Sequence, residues 1–104
     1  MNTAIIDLGT NTFHLLIGSA SEGIVKTVFK TKIPVRLGKG GFAKKHLESD
    51  AIERGMLAIE THLNTAQEYS RQQIWAFATS AVRDADNGAE FVQRIKEAYG
   101  VDVQ

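Results

Sequence analysis

Apolar and polar positions alternate at the start of the chain. Residues 3–6 form a short β-rich run closed by Asp7-Leu8-Gly9, and residues 13–17 resume it with Phe13, Leu15 and Ile17 on one side. That pattern predicts strand, tight turn, strand. After a polar stretch at 19–23, residues 24–35 are again β-branched, but Lys26, Lys30 and Lys32 recur at even spacing and Pro34 stands near the end. Lysines on one side together with a proline suit an edge strand that must not pair with a neighbour. Gly38-Lys39-Gly40-Gly41 breaks the pattern. From Ser49 or Asp50 the period changes to that of a helix, with Ile52, Met56, Ile59, Leu63 and Ala66 on one face. Asp50 and Glu53 have capping-box spacing. Gly55 inside this helix costs about 1 kcal/mol relative to alanine, which suggests close packing on a neighbouring backbone; the alternative is a tolerated, neutral glycine.

Ile74-Trp75-Ala76-Phe77-Ala78 is apolar on both parities. This is the pattern of a strand covered on both faces, and it predicts the centre of the sheet. Tyr69, Trp75 and Phe77 accordingly read as core. Thr79-Ser80 starts a short helical turn through Ala85. Asn87 and Glu90 give a second capping-box spacing ahead of Phe91, Ile95, Ala98 and Tyr99. Gly100 is placed to end that helix, and residues 101–103 begin a further strand. The order β-β-β-α-β-α-β implies an α/β fold with a mixed sheet: an antiparallel meander, then parallel strands joined by right-handed helical crossovers. That is a ribonuclease H-like arrangement.

Composition narrows the chemistry. The 104 residues carry 12 basic and 12 acidic side chains, for a formal net charge of zero. A chain of this length buries one core but not two domains with a cleft between them, so chemistry that needs such a cleft is incomplete here. Charge balance speaks against nucleic acid or an anionic membrane as partner. The absence of cysteine excludes disulfides, thiolate zinc sites and cysteine nucleophiles. No signal-peptide pattern and no run of about 18 apolar residues occurs, which points to the cytoplasm. His14, His46 and His62 share no metal-ligand spacing, so His14 reads as a satisfied strand residue and the other two as exposed.

Three segments carry candidate chemistry. In Asp7-Leu8-Gly9-Thr10-Asn11-Thr12 a carboxylate leaves the end of a strand, a glycine admits close backbone approach, and hydroxyls and an amide surround the bend. Such a turn can present successive N–H groups to a phosphate. Asp7 could hold a divalent cation through water, as magnesium prefers; the alternative is a plain hairpin turn. Ala78-Thr79-Ser80-Ala81-Val82-Arg83 sits at the carboxyl end of the buried strand, where open α/β sheets gather ligands. There Arg83 could grip an oxyanion or pair with Asp84 or Asp86. Arg36-Leu37-Gly38-Lys39-Gly40-Gly41 is glycine-rich and basic but lacks the spacing of a dinucleotide fingerprint or a Walker loop. It could lay Arg36 and Lys39 over a polyanion or serve as a solvated connector.

Together the segment from Ile6 to Leu16, the run Arg36-Leu37-Gly38-Lys39-Gly40 and the run from Ala78 to Asn87 resemble the exopolyphosphatase and guanosine pentaphosphate phosphatase family. This family is a branch of the superfamily of actin, sugar kinases and the heat-shock chaperone ATPase. The last run selects the phosphatase branch. The resemblance implies that Gly9, Thr10, Asn11 and Thr12, with Thr79 and Ser80, line a phosphate site. It also implies that Asp7 helps place Mg2+, that Arg83 contacts the phosphoryl group in transfer, and that Arg36 and Lys39 belong to a substrate loop. The family usually has serine where this chain has Thr10 and Thr12; threonine keeps the hydroxyl and adds a methyl. The implied activity is attack of water on the terminal phosphate of polyphosphate or guanosine pentaphosphate, without DNA or membrane partners. In the family a general-base glutamate follows the strand that starts near Val101, and a second actin-like domain follows that. The expectation is therefore that residues 1–104 form a single N-terminal actin-like domain, incomplete at its C-terminal end and inactive alone. The parent would be a homodimer, and the fragment prone to self-association. Two alternatives stand beside it: a non-catalytic phosphate- or nucleotide-binding module, and an actin-like sugar or acetate kinase domain.

Overall fold

A computed structural model describes residues 2–38, 45–69 and 73–104; Lys39 of the expected substrate loop lies outside them. Strands β1 (Asn2–Leu8), β2 (Thr12–Ser21), β3 (Ile24–Pro34) and β4 (Gln73–Ala78) form one sheet in the order β3-β2-β1-β4. The first three pair antiparallel, and β4 runs parallel to β1. Ala4, Ile6 and Leu8 lie opposite Ile17, Leu15 and Phe13. All six are buried, because a period of two sends them to the same face. The lysine-bearing β3 is the sheet edge, as its charges predict. Its hairpin with β2 is tighter than the polar stretch suggested: Glu22 and Gly23, at φ 52° and 78°, make a two-residue turn of the left-handed kind that matches strand twist. The strand expected at 101–103 is present as one parallel bridge, Ala76 to Val103, supported by hydrogen bonds of Gln104 with Ala76 and Ala78.

Helices α1 (Ser49–Gln67), α2 (Ser80–Arg83) and α3 (Gly88–Tyr99) complete the layer. The long helices α1 and α3 pack on the Phe13 face. There a Cβ on Gly55 would stand 2.9 Å from the Phe91 ring and 3.5 Å from that of Phe13. Gly55 thus makes room for aromatic side chains, not for a backbone. Neither predicted capping box forms. Glu53 is drawn away to Arg94 of α3 at 2.6 Å, and Asn87 spends its side chain on the N–H and carbonyl of Leu47, both at 2.9 Å. Gly100 closes α3 at φ 70°, the left-handed end expected of a C-terminal glycine.

In this chain both long helices lie on one face, so the double-covered reading of β4 does not hold. The order also puts β4 at an end of the four-stranded sheet, not at its centre, with the Val103 bridge on its outer side. Ala76 is buried, whereas Trp75 and Phe77 are 46% and 43% exposed on the opposite side. Tyr69 does pack against the core, stacked on Phe29 with ring centroids 5.0 Å apart. Among the described residues no helix is long and apolar enough to cross a membrane.

His62 also departs from expectation, since it is wholly buried. Its Nε2–H donates to the Phe13 carbonyl at 2.8 Å, which leaves Nδ1 bare and without a donor. Burial holds its pKa below the ordinary 6.5, and the charge of His14 adds to that. The unfolded chain therefore binds a proton that the native one refuses. This stability is complete above pH 6.5 and is lost as pH falls through the lowered native value. Urea midpoints measured across that range should drop on acidification and drop less for His62→Gln. The surface histidine His46, raised by its bond to Asp86, works in the opposite direction and is common to both proteins.

Candidate functional site

The bend between β1 and β2 is closed by a hydrogen bond from Gly9 N–H to the Thr12 carbonyl at 3.1 Å. Its carbonyls are claimed from outside. Asn11 O accepts from Val35 N–H at 2.8 Å and Arg36 N–H at 2.9 Å, and Thr10 O accepts from Leu37 N–H at 2.8 Å. A trans peptide carries its N–H opposite its C=O, so the N–H groups of Asn11 and Thr12 point away from residues 35–37. Among the described residues neither they nor Thr10 N–H find an acceptor. Successive N–H groups left without an acceptor in a bend are the kind of donor set that can take an anion.

Just past the end of the β2–β3 ladder, Val35 N–H bonds Asn11 O while Val35 O accepts from Arg54 Nε–H at 2.7 Å. The same guanidinium holds the Arg36 carbonyl at 3.0 Å and Asp50 at 3.1 Å. Arg36 itself sits at φ 55°, a left-handed conformation that costs about 1–2 kcal/mol in a non-glycine residue; it allows two successive N–H groups to converge on Asn11 O. Nothing in the spacing of Arg54 distinguishes it from any basic residue on an exposed helical face, and sequence reasoning missed it.

At the carboxyl end of β4, Thr79 N–H and Oγ1–H both donate to Leu8 O, at 3.2 and 3.0 Å. This strut locks the second segment to the first across adjacent parallel strands. It also gives Thr79 a task other than the phosphate contact expected of it, since its hydroxyl proton is already committed. Arg83 is exposed and lines a groove of about 320 Å3 with Ala78, Val82, Gly88 and Gln104 among others. The alternative ion pair is not formed among the described residues. Asp86 is held by His46 at 2.6 Å instead.

Asp7 is half-buried at the end of β1, facing the side opposite the helices between His14 and Phe77. No group of three or more His, Asp or Glu side chains is assembled among the described residues. A dedicated protein cage is therefore not what Asp7 offers. A single carboxylate is, however, compatible with magnesium, which keeps several waters and takes few protein ligands.

Residues 16–104 match the Ppx/GppA phosphatase family. The chain superimposes over its whole length on an exopolyphosphatase from Cytophaga hutchinsonii, with 34% identity and a TM-score of 0.95, covering 33% of that chain. It also superimposes over its whole length on the Aquifex aeolicus Ppx/GppA member, with 27% identity and a TM-score of 0.90, covering 35%. A protein described as exopolyphosphatase-like matches over 99% of this chain and 32% of its own, with 29% identity and a TM-score of 0.90. The chain thus spans about a third of these relatives, and its sheet and helices are those of the actin-like ATPase fold in the family's N-terminal domain.

Proposed function

The chain belongs to the Ppx/GppA phosphatase family, and from that premise we propose that it forms one wall of a phosphate and magnesium cleft in a phosphohydrolase. The reaction would be release of terminal phosphate from inorganic polyphosphate or guanosine pentaphosphate by water. The observation that carries this reading is the set of N–H groups at residues 10–12, which find no acceptor among the described residues, fastened through Leu8 and Thr79 to the segment that bears Arg83.

In this reading the three N–H groups and the hydroxyls of Thr10, Thr12 and Ser80 hold phosphate oxygens. Arg83 offsets negative charge on the phosphoryl group being transferred. Asp7 would hold Mg2+ through water; when bound, that ion neutralises phosphate charge. Phosphoryl transfer asks the protein mainly for positioning and electrostatic stabilisation, which is what such a wall provides. In the enzyme that carries this chain, Arg83→Ala should lower the turnover of polyphosphate by about tenfold or more with a smaller change in KM. Colorimetric phosphate release at saturating substrate measures this, and an unchanged kcat would remove Arg83 from the reaction.

A further inference from the structure

The bend at residues 9–12 is held at both ends through carbonyls that point out of the β1–β2 ladder. Gly9 N–H donates to Thr12 O, so these two residues face each other as a hydrogen-bonded pair. The next pair, Leu8 and Phe13, is then of the kind whose backbone groups turn outward. Leu8 O is taken by Thr79. Phe13 O is taken from the core, by His62 Nε2–H of α1 at 2.8 Å. The same helix meets the Phe13 ring two turns earlier, where a Cβ on Gly55 would stand 3.5 Å from it. Helix α1 therefore grips residue 13, the first residue past the bend, by both its ring and its carbonyl.

Packing does not call for a histidine here. His62 is the one buried polar or charged side chain among the described residues. It lies in an apolar stripe with Ile59 and Ala66, and its Nδ1 has no partner among those residues. An unsatisfied buried nitrogen costs stability that a leucine would not forfeit. What histidine supplies and leucine does not is one N–H aimed at the Phe13 carbonyl. The surroundings also make that bond conditional on charge. The helix-side residues of β1 and β2 carry no charge. On β3 the residues opposite Ile17, Leu15 and Phe13 are Phe29, Thr31 and Ile33, and Lys26 beyond them is exposed. The charged side chains of α3 are exposed, and its Tyr99 hydroxyl is spent on the Met56 carbonyl. On α1 they are exposed too, apart from Arg54, which is engaged with Asp50 and two carbonyls. His14, on the far face of β2, opposes a further positive charge. A proton on Nδ1 thus finds neither acceptor nor counter-charge, and the charged ring is solvated only by leaving the core, which gives up Phe13 O.

We propose that His62 is a positioning residue for the phosphate bend, fixing its β2 arm through the Phe13 carbonyl, and that a second proton on the ring releases that arm and makes anion binding at residues 9–12 sensitive to pH. This role rests on the phosphate-binding reading above and adds a control exerted from the core. The test is calorimetric titration of the chain with inorganic tripolyphosphate from about pH 7 to about pH 5, where histidine changes charge. His62→Leu fills the space without a donor. At about pH 7 its affinity should fall by about fivefold to tenfold, the worth of one hydrogen bond. Its urea midpoint should change little, because removal of the unsatisfied nitrogen offsets the lost bond. His62→Gln presents an amide N–H to the same carbonyl and does not titrate, so its affinity at about pH 7 should stay within about twofold of the unaltered chain. Because the neutral ring holds the bend, affinity of the unaltered chain is complete above the lowered native pKa of His62 and falls as pH drops through it. Proton uptake by tripolyphosphate, His14 and His46 is common to all these proteins. The ratio of unaltered to Gln-variant affinity therefore isolates His62, and on acidification it should fall toward the ratio of Leu-variant to Gln-variant affinity. A leucine variant that binds as tightly as the unaltered chain, a glutamine variant as weak as the leucine one, or a ratio constant with pH overturns the assignment. Gly9→Ala keeps the two readings apart. If it binds tripolyphosphate as well as the unaltered chain, the bend is not the phosphate site and both fall; if it loses binding while the His62 variants do not, only the role of His62 falls.

Discussion

Gly9→Ala is expected to weaken inorganic tripolyphosphate binding by about a hundredfold while the protein still folds. A Cβ at position 9 would lie 2.7 Å from the Thr12 carbonyl oxygen, closer than real Cβ contacts come. The obstructing atom is backbone, with no rotamer to move it aside. That same oxygen accepts the Gly9 N–H that closes the bend, so relief of the clash must open the bend and displace the N–H groups of Thr10, Asn11 and Thr12. A displacement of about 1 Å in a positioning element is worth about a hundredfold. The stability cost is smaller, about 1–3 kcal/mol for one hydrogen bond and local strain, because Leu8 and Phe13 stay paired on either side. Gly55→Ala is the natural contrast. It strikes the Phe91 ring at 2.9 Å, a side chain and not the backbone of the bend, and should cost stability with a much smaller loss of tripolyphosphate affinity. Calorimetry and urea unfolding separate the two variants. Equal tripolyphosphate affinity in Gly9→Ala and the unaltered chain would sink the assignment of the bend.

The contrast between those glycines shows which physical signals are local. The bend was legible because Gly9 and its polar neighbours interrupt two short alternating runs, and period-two alternation then fixes the face of every residue in β1 and β2. The edge position of β3 was legible from its lysines, although a bulge opposite Ile17 and Gly18 breaks the alternation and turns Lys26 to the face opposite that of Lys30 and Lys32. β4 was misread because an apolar residue on each parity says only that the strand tolerates burial on both sides. Which side is covered depends on where α1 and α3 land, and no residue within 74–78 encodes that. His62 was misplaced by a similar limit. On the helical wheel it falls within the apolar stripe of Ile59 and Ala66, but residue type argued for water, and only the Phe13 carbonyl at 2.8 Å accounts for its burial. The capping boxes failed because their side chains found tertiary partners: Glu53 in Arg94 and Asn87 in Leu47. Spacing proposes local bonds, and long-range partners compete for the same atoms.

Removal of Arg54 should alter both ligand binding and a few specific amides. In Arg54→Ala the Val35 carbonyl loses the Nε–H that holds it at 2.7 Å, and the Arg36 carbonyl loses the Nη2–H that holds it at 3.0 Å. Asn11 N–H cannot replace them, because it points away from residues 35–37. The left-handed Arg36 is then unbraced, and with it the N–H groups of Val35, Arg36 and Leu37 that hold the carbonyls of Asn11 and Thr10. The bend loses this outside support, and tripolyphosphate affinity should fall by about tenfold. Global stability should fall by about 1–3 kcal/mol, the worth of hydrogen bonds to a charged group. Arg54→Lys can satisfy one carbonyl but not the fork between Val35 and Arg36, so it should fall between the two. Hydrogen exchange gives the readout that general weakening would not produce: the Arg36 and Leu37 amides should exchange faster in Arg54→Ala while those of β1 keep their rates. Arg36 and Leu37 amides that exchange at the unaltered rate would mean that Arg54 does not govern the bend.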